Sequence, residues 1–464
     1  MTFYKKRLVT PQTKKFSFVF DDFSGGMDGK KYGGISAKNA QICFNTDGAY
    51  GAFKQGLGFD QLRENAFVSV PKAKQMQCFC MDGQDFLAVV DDKDNLVVLS
   101  LDNPFVWQTI GKTKGEAKLL PYRQNQKVVL LVYDDNGMWS WDGAQTTVIS
   151  SQPVLTDVVL CHERVFGVDA TDNTLLRFCT HLDPSQWTND LGQTGYIRLD
   201  DNFGKVQKLV SFDGCVFAFG VCKIAKIQAS SSPDEFFVSK LISLNGKIQK
   251  DSVQPCGDQI VFLCDDGLYA FDGTKVQQIC TGLSNNFVQS QNASCFFNTK
   301  YYLSCKMEFF DGRRILCEAD EHENNVVIEY DLQNQQCKIA RGVDVSCLAK
   351  SKDRLLFVSD QKVGQVSDSG CFFGLSLPKV WETAYGDFDV VAKKVLRSVQ
   401  LYTLSNLVIK IFADGKQHSF CFNGKKSLQK QKLGITGHTF KICFETTSPK
   451  PFVFKPVFEI GYGG

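Results

Sequence analysis

No apolar run in the chain approaches the roughly 18–20 residues that a membrane-spanning helix requires. The first fifteen residues, MTFYKKRLVTPQTKK, carry five basic side chains and no apolar stretch of the kind a secretory signal needs. A membrane role and a cleaved leader are therefore not expected. Histidine is scarce, with five scattered copies, and CxxC does not occur, so a structural zinc site has little to stand on. The nucleophile elbow GxSxG, the phosphate loop GxxxxGK[ST] and a GxGxxG opening a helix are all missing. No cofactor, metal or catalytic residue is expected, and the chain reads as a non-enzyme.

A carboxylate-gripping glycosidase of the sialidase type needs an arginine cluster, and only Arg313-Arg314 stand together here. The turn Tyr133-Asp134-Asp135-Asn136-Gly137-Met138-Trp139 is superficially like the Asp-box of sialidases, but it lacks the leading Ser and its aromatic comes too early. Glu318, Asp320, Glu321 and Glu323 form the densest acidic run, CEADEHENN, which reads as a solvated loop between strands.

What is present is folded-protein composition. The chain has 464 residues, of which 43% are hydrophobic and 22% charged, so disorder is excluded and more than one domain is expected. Phenylalanine (39) and glycine (38) are abundant while proline is scarce at 12, a balance that favours short strands joined by tight turns over helices. The 18 cysteines are spread through the chain, several at alternating strand positions as in Cys78-Phe79-Cys80, where a reduced thiol acts as a small hydrophobe.

From residue 73 to 376 one pattern recurs: an apolar strand, an Asp/Asn/Gly turn, then a second strand. Gln126–Gly143 (QKVVLLVYDDNGMWSWDG) and Asp258–Gly273 (DQIVFLCDDGLYAFDG) are the clearest copies. Weaker ones lie at Phe86–Leu101, Arg164–Phe178, Gly214–Ile227 and Arg354–Val366. Acidic-glycine turns tolerate the positive φ of tight hairpins. The spacing of roughly 40–50 residues is that of a four-stranded propeller blade. About seven units fit, with a longer sixth at 291–342; a two-sheet sandwich of that length is the competing fold. The expected fold is all-β: a β-propeller of about seven blades (73–376), then a C-terminal β-sandwich (377–464). Sandwich strands are expected at Val395–Leu404, Leu407–Phe412, His418–Phe422, Thr439–Glu445 and Phe452–Ile460. Residues 1–72, Gly-rich and basic, read as an extended arm.

The net charge of +2 conceals a split. Residues 1–72 carry 11 Lys/Arg against 6 Asp/Glu, residues 377–464 carry 13 against 6, and the stretch between them carries 28 against 38. Such asymmetry bears on partners and fields rather than on fold.

Three passages, taken in order, resemble the β-propeller virion proteins of tailed bacteriophages, which include tail-nozzle (tail tubular) and packaged-DNA stabilisation proteins. The first is Phe20–Met27 (FDDFSGGM) with Ala40–Phe59 (AQICFNTDGAYGAFKQGLGF), where Asn45, Gly51 and Lys54-Gln55-Gly56 stand in the places of the family's Asn, Gly and basic-x-Gly. The second is Leu176–Leu199, with Asp183-Pro184 and Trp187; the third runs from Leu209 to Gly273. Trp381-Glu382-Thr383 and Lys393-Lys394 also resemble the sandwich that follows the propeller in some members. The resemblance implies a structural subunit of the virion, made in the bacterial host cytoplasm. It would form a ring, often sixfold, around the DNA channel at the portal–tail junction or nozzle. Implied partners are portal, adaptor and tail proteins, further copies of itself, and passing double-stranded DNA without sequence specificity. The basic segments nominate Lys5, Lys6, Arg7, Lys14 and Lys15 on the arm, Lys425, Lys426, Lys430 and Lys432 on a sandwich loop, and Trp187 between blades as interaction residues. The alternatives are a glycan- or protein-binding propeller module and a sialidase-like glycoside hydrolase.

Overall fold

The structure is a computed structural model. It describes residues 13–463 except 28–35, 37, 49–50, 64–67, 71, 103–106, 125–126, 150–152, 189–191, 231, 285 and 310–321. Among the described residues the fold is all-β; helical segments are single 3-10 turns such as Asp201–Phe203, and no helix is long and apolar enough to cross a membrane. The chain divides into two units: residues 60–335 with 342–366, and residues 1–59 with 336–341 and 367–464.

The first unit is a seven-bladed β-propeller. Its blades are antiparallel sheets whose strands follow one another along the chain. Blade 1 comprises Ala73–Met81, Gln84–Asp91, Asn95–Ser100 and Trp107–Lys112; blade 2 runs from Lys118 to Ile149 and blade 3 from Leu155 to Arg198. Blade 4 spans Val206 to Ser243 and blade 5 Gln254 to Ile279. Blade 6 contributes Phe287–Phe297, Lys300–Met307 and Val326–Asp331 to this unit. Blade 7 holds Cys347–Lys350, Leu355–Ser359 and Lys362–Ser367, and Val68–Ser69, which precedes blade 1 in sequence, pairs with the last of these. The ring is closed: Cys347–Lys350 of blade 7 lies beside Ala73–Met81 of blade 1.

Each repeat seen in the sequence is a real hairpin and occupies the middle two strands of its blade. The turns explain why. Between first and second strands, Asp82-Gly83, His162-Glu163, Asp213-Gly214 and Asn298-Thr299 all take positive φ at both positions, the twist a two-residue hairpin demands. At the next turn an aspartate caps the backbone: Asp134 Oδ1 accepts from Asn136 N (2.7 Å), and Asp91 Oδ1 from Lys93 N (2.9 Å) and Asn95 N (2.7 Å). Apolar faces are buried between adjacent blades, as with Phe79, Trp139 and Trp141 between blades 1 and 2, and Phe217, Phe262 and Phe271 between blades 4 and 5. Each such side chain contributes roughly 1.5–3 kcal/mol.

The second unit is a two-sheet sandwich. One sheet is ordered Thr46–Asp47, Ala52–Gln55, Phe452–Gly463, Lys394–Thr403, Lys425–Gly437, with Thr13–Val19 also paired to Phe452–Gly463. The other is ordered Ile42–Phe44, Lys379–Glu382, Phe440–Thr446, Leu407–Ala413, Lys416–Phe422. Phe20, Phe23, Phe53, Trp381, Phe444 and Phe458 meet in its core. The five C-terminal strands expected from the sequence are all present. The expected arm is corrected: Thr13–Val19, Ile42–Phe44, Thr46–Asp47 and Ala52–Gln55 are strands of the sandwich, Phe20, Phe23 and Phe53 lie in its core, and Val68–Ser69 pairs with the last strand of the propeller.

The Asn and Gly of the first family-like passage are folding determinants. Asn45, buried at φ +57°, donates from Nδ2 to Arg341 O (3.0 Å) and Pro378 O (2.7 Å) and accepts from Arg341 N at Oδ1 (2.8 Å). It thereby ties three distant segments of the sandwich together. Gly51 sits at φ +71°, where a Cβ would fall 2.4 Å from Asp21 O.

Candidate interaction surfaces

Dividing the charge by folding unit sharpens the split seen along the sequence. The sandwich unit carries 24 Lys/Arg against 11 Asp/Glu, a net of +13; the propeller unit carries 28 against 39, a net of −11. Charge therefore segregates by fold.

On the sandwich, the outward face of the six-stranded sheet gathers basic residues from both ends of the sequence. Cross-strand register places Ser17, Glu459, Ser398 and Lys432 in one row, with Val19, Val457, Gln400 and Lys430 in the next. Lys15, two residues before Ser17, shares that face. Ser398 Oγ donates to Glu459 (3.0 Å), and Lys430 Nζ stands 3.6 Å from the same carboxylate. The Ser398 hydrogen bond first, then the Lys430 and Lys15 ammoniums, hold the Glu459 carboxyl below its ordinary range. Adjoining rows bring Tyr402 opposite both Phe454 and Leu428, with Phe452 beside Phe454.

In the propeller, charged side chains converge at the axis. Lys250, on the turn before blade 5, places Nζ 2.6 Å from Glu116 Oε1 at the start of blade 2. Lys118 lies 2.7 Å from the same carboxylate and 3.6 Å from buried Asp157 of blade 3, which Lys208 of blade 4 approaches at 3.7 Å. Burial raises the Glu116 pKa, but the Lys118 and Lys250 ammoniums outweigh it and hold the carboxyl at about 2. This ion pair joins blade 2 to blade 5, which are not neighbours in the ring.

Between blades 1, 6 and 7 lies a cleft of about 380 Å³ lined by Cys78, Cys80, Phe296, Phe297, Lys350 and Lys352. Every described cysteine is a free thiol. Burial pushes Cys78 far above the ordinary thiol range, which suits packing rather than nucleophilic chemistry. Among the described residues no group of three His, Cys, Asp or Glu comes together as metal ligands would. Arg164 is buried, donating to Cys179 O (2.6 Å) and Gln193 O, while Arg177 and Arg198 pair with Asp169 and Asp172, so these arginines of blade 3 are engaged in structure.

Of the residues nominated by sequence, Lys5, Lys6 and Arg7 lie outside the described residues, as do Arg313, Arg314, Glu318, Asp320 and Glu321. Lys14 and Lys15 are exposed on Thr13–Val19. Lys425, Lys426, Lys430 and Lys432 are exposed too, but on a 13-residue strand, Lys425–Gly437, rather than a loop. The alternation Lys-x-Lys fits a strand with one face outward, and pairing with Lys394–Thr403 overrides the run's low apolar content. Trp187 is corrected: it is buried in the cluster between blades 2 and 3, with Nε1 donating to Pro184 O (2.8 Å), and it presents no interaction surface. Sequence reasoning missed Tyr402, Phe452 and Phe454, because only the register brings them beside the lysines.

The class these features define is a seven-bladed propeller joined to a β-sandwich of opposite charge. No protein-family description matches the sequence, and no curated protein does. Among solved structures, a chain of BBS1N in complex with ARL6DN (mercury-soaked) is similar at 10% identity and TM-score 0.43, over 65% of this chain and 93% of that one. A chain of the mitotic checkpoint complex is 12% identical at TM-score 0.43, over 66% and 94%. The N-terminal domain of Nup159 is 10% identical at TM-score 0.41, over 67% and 95%. Likenesses this distant say nothing of activity or partner.

Proposed function

We propose that the chain is a structural virion protein of a tailed phage, a ring-forming component of the portal–tail junction or tail nozzle. The observation that carries the reading is the segregation of charge into a +13 sandwich and a −11 propeller on one chain. Copies built this way attract one another through unlike units and repel through like ones, which favours head-to-tail contacts that close into a ring. The order of the three family-like passages supports the same reading.

On this reading DNA passes through the opening that the copies enclose rather than through any one propeller, whose blades 2 and 5 are joined by the Glu116–Lys250 ion pair. An acidic propeller surface facing that opening repels duplex phosphate over a Debye length of about 8 Å, so DNA slides without sticking. The test is electron microscopy of the intact phage particle with this subunit labelled. Label at the portal–tail junction or nozzle is expected; label absent from the particle would overturn the reading.

A further inference from the structure

The strands of the sandwich's six-stranded sheet carry charge largely of one sign: ten Lys/Arg against two carboxylates, Asp47 and Glu459. Both carboxylates are engaged, Asp47 with Lys338 (2.9 Å) and Glu459 with Ser398 (3.0 Å) and, at 3.6 Å, Lys430. Toward one end of the sheet the imbalance is complete. Residues 400–406, 422–436 and 446–458, which include the adjoining ends of three neighbouring strands, hold six lysines and no Asp or Glu.

Three aromatic rings lie within this basic field. Tyr402 stands opposite Phe454 on one side and Leu428 on the other, and Phe452 stacks beside Phe454 with centroids 6.3 Å apart and planes 14° from parallel. Phe454 is 37% exposed, while Tyr402 and Phe452 are half-buried. Cations flank the rings. Lys54 Nζ lies 5.8 Å from the Phe452 centroid and Lys455 Nζ 5.3 Å from that of Phe454. On the other side, exposed Lys430 and Lys432 stand two residues apart along the edge strand Lys425–Gly437 and so share one face.

We propose that this face binds single-stranded nucleic acid without sequence preference, its bases lying on Tyr402, Phe452 and Phe454 and its phosphates running past Lys430 and Lys432. The inference goes beyond the ring reading and does not depend on it. Charge selects a polyanion, and the rings select among polyanions. Every base has a face that stacks on an aromatic side chain, so a single strand engages both the rings and the lysines. A duplex keeps its bases stacked inside and would set phosphate against the apolar centre. A lipid surface takes up side chains that project, whereas two of these rings lie half-buried in the sheet. An acidic peptide satisfies the lysines but gives the rings nothing to stack on. The propeller's net charge of −11 repels the same strand and so favours the sandwich as its site.

The test is fluorescence anisotropy of the full chain with a labelled oligothymidylate of about 20 nucleotides, from about 50 to 200 mM salt. The same oligomer annealed to its complement and an oligoglutamate of equal length are run alongside. The wild type is expected to bind the single strand at least tenfold more tightly than either, and more weakly as salt rises. Phe454→Ala and Phe454→Leu should each weaken that binding roughly 5- to 150-fold. The leucine variant keeps an apolar side chain on the sheet and removes only the ring. Lys430→Ala combined with Lys432→Ala should make the slope of log K against log salt shallower by about 1.4, the share of two phosphate contacts. Unchanged thermal unfolding verifies that each variant folds. Binding that both Phe454 variants leave within about twofold of wild type, or duplex or oligoglutamate bound as tightly as the single strand, would show a merely electrostatic surface and overturn the proposal. No binding of the single strand at about 50 mM salt would overturn it too, and sedimentation with phosphatidylserine vesicles in that case would make the face a lipid surface instead.

Discussion

The propeller and the sandwich reach the same strand-rich end by opposite routes. In the propeller nearly every pairing is between neighbours in sequence, as in Cys161↔Arg164 and Cys264↔Gly267. In the sandwich, Thr13 pairs with Gly463, Ile42 with Glu382 and Ala52 with Phe454. Local pairing closes small loops at little entropic cost, whereas pairings hundreds of residues apart form late and depend on anchors. The propeller should therefore fold blade by blade, and the sandwich should rest on a few tertiary residues whose loss is felt in that unit alone.

The sharpest test of this contrast is Trp381→Ala. The indole is fully buried against Phe20, Phe23 and Phe444, so its loss should destabilise the sandwich by about 3–5 kcal/mol. Denaturant unfolding followed by separate probes in each unit should show the sandwich transition falling while the propeller transition stays. Equal shifts in both would break the comparison. Next comes Asn45→Ala, which removes the hydrogen bonds to Arg341 N, Arg341 O and Pro378 O and puts alanine, less tolerant of the left-handed region than asparagine, at φ +57°. A cost of roughly 2–4 kcal/mol to the sandwich is expected in the same experiment. A change within error would mean the three segments are held by something else.

Lys379 gives a smaller and pH-dependent effect. Its buried ammonium donates to Gly370 O (2.8 Å), Leu377 O (2.8 Å) and Ser376 Oγ (2.9 Å), and burial lowers its pKa from 10.5 to about 8. Below pH 8 both native and unfolded chains hold the proton. From about 8 to 10.5 the unfolded chain binds more protons than the native one, so sandwich stability should rise with pH, by at most about 1.4 kcal/mol per unit. Melting curves across that window should show the rise in wild type and lose it in Lys379→Met; a wild-type slope of zero or opposite sign would contradict the assignment. The smallest effect is expected of Glu116→Gln. The side chain is largely exposed, so breaking its pairs with Lys118 and Lys250 should lower propeller stability by less than about 1 kcal/mol. A larger loss in the propeller's unfolding midpoint would show that the axial ion pair holds the ring.

The same contrast accounts for what the sequence made legible. A hairpin writes its whole signal within a dozen residues, so DDNG and DDG disclosed the blades and their period disclosed the ring. His162-Glu163 makes an equivalent turn with neither glycine nor asparagine, and only the geometry reveals it. Thr13–Val19 alternates weakly and its partner lies at the other end of the chain, so its place in a sheet was illegible, and a Gly-rich basic stretch passed for an arm. The candidate face was half visible: Lys430 and Lys432 could be picked out by charge, but Tyr402 and Phe454 join them only through cross-strand register. Trp187 was misleading for the converse reason. Its turn-rich surroundings suggested a surface loop, while the indole turns inward to the blade 2–blade 3 core.

The central claim is that unlike charge on two units of one chain assembles copies into a closed ring. Class averages of the purified full-length protein at low salt, by negative-stain electron microscopy, test it most directly. Closed rings of several copies around an open axis, dispersing as salt is raised, are the predicted result. Isolated single chains at every salt concentration, or open filaments that never close, would contradict it.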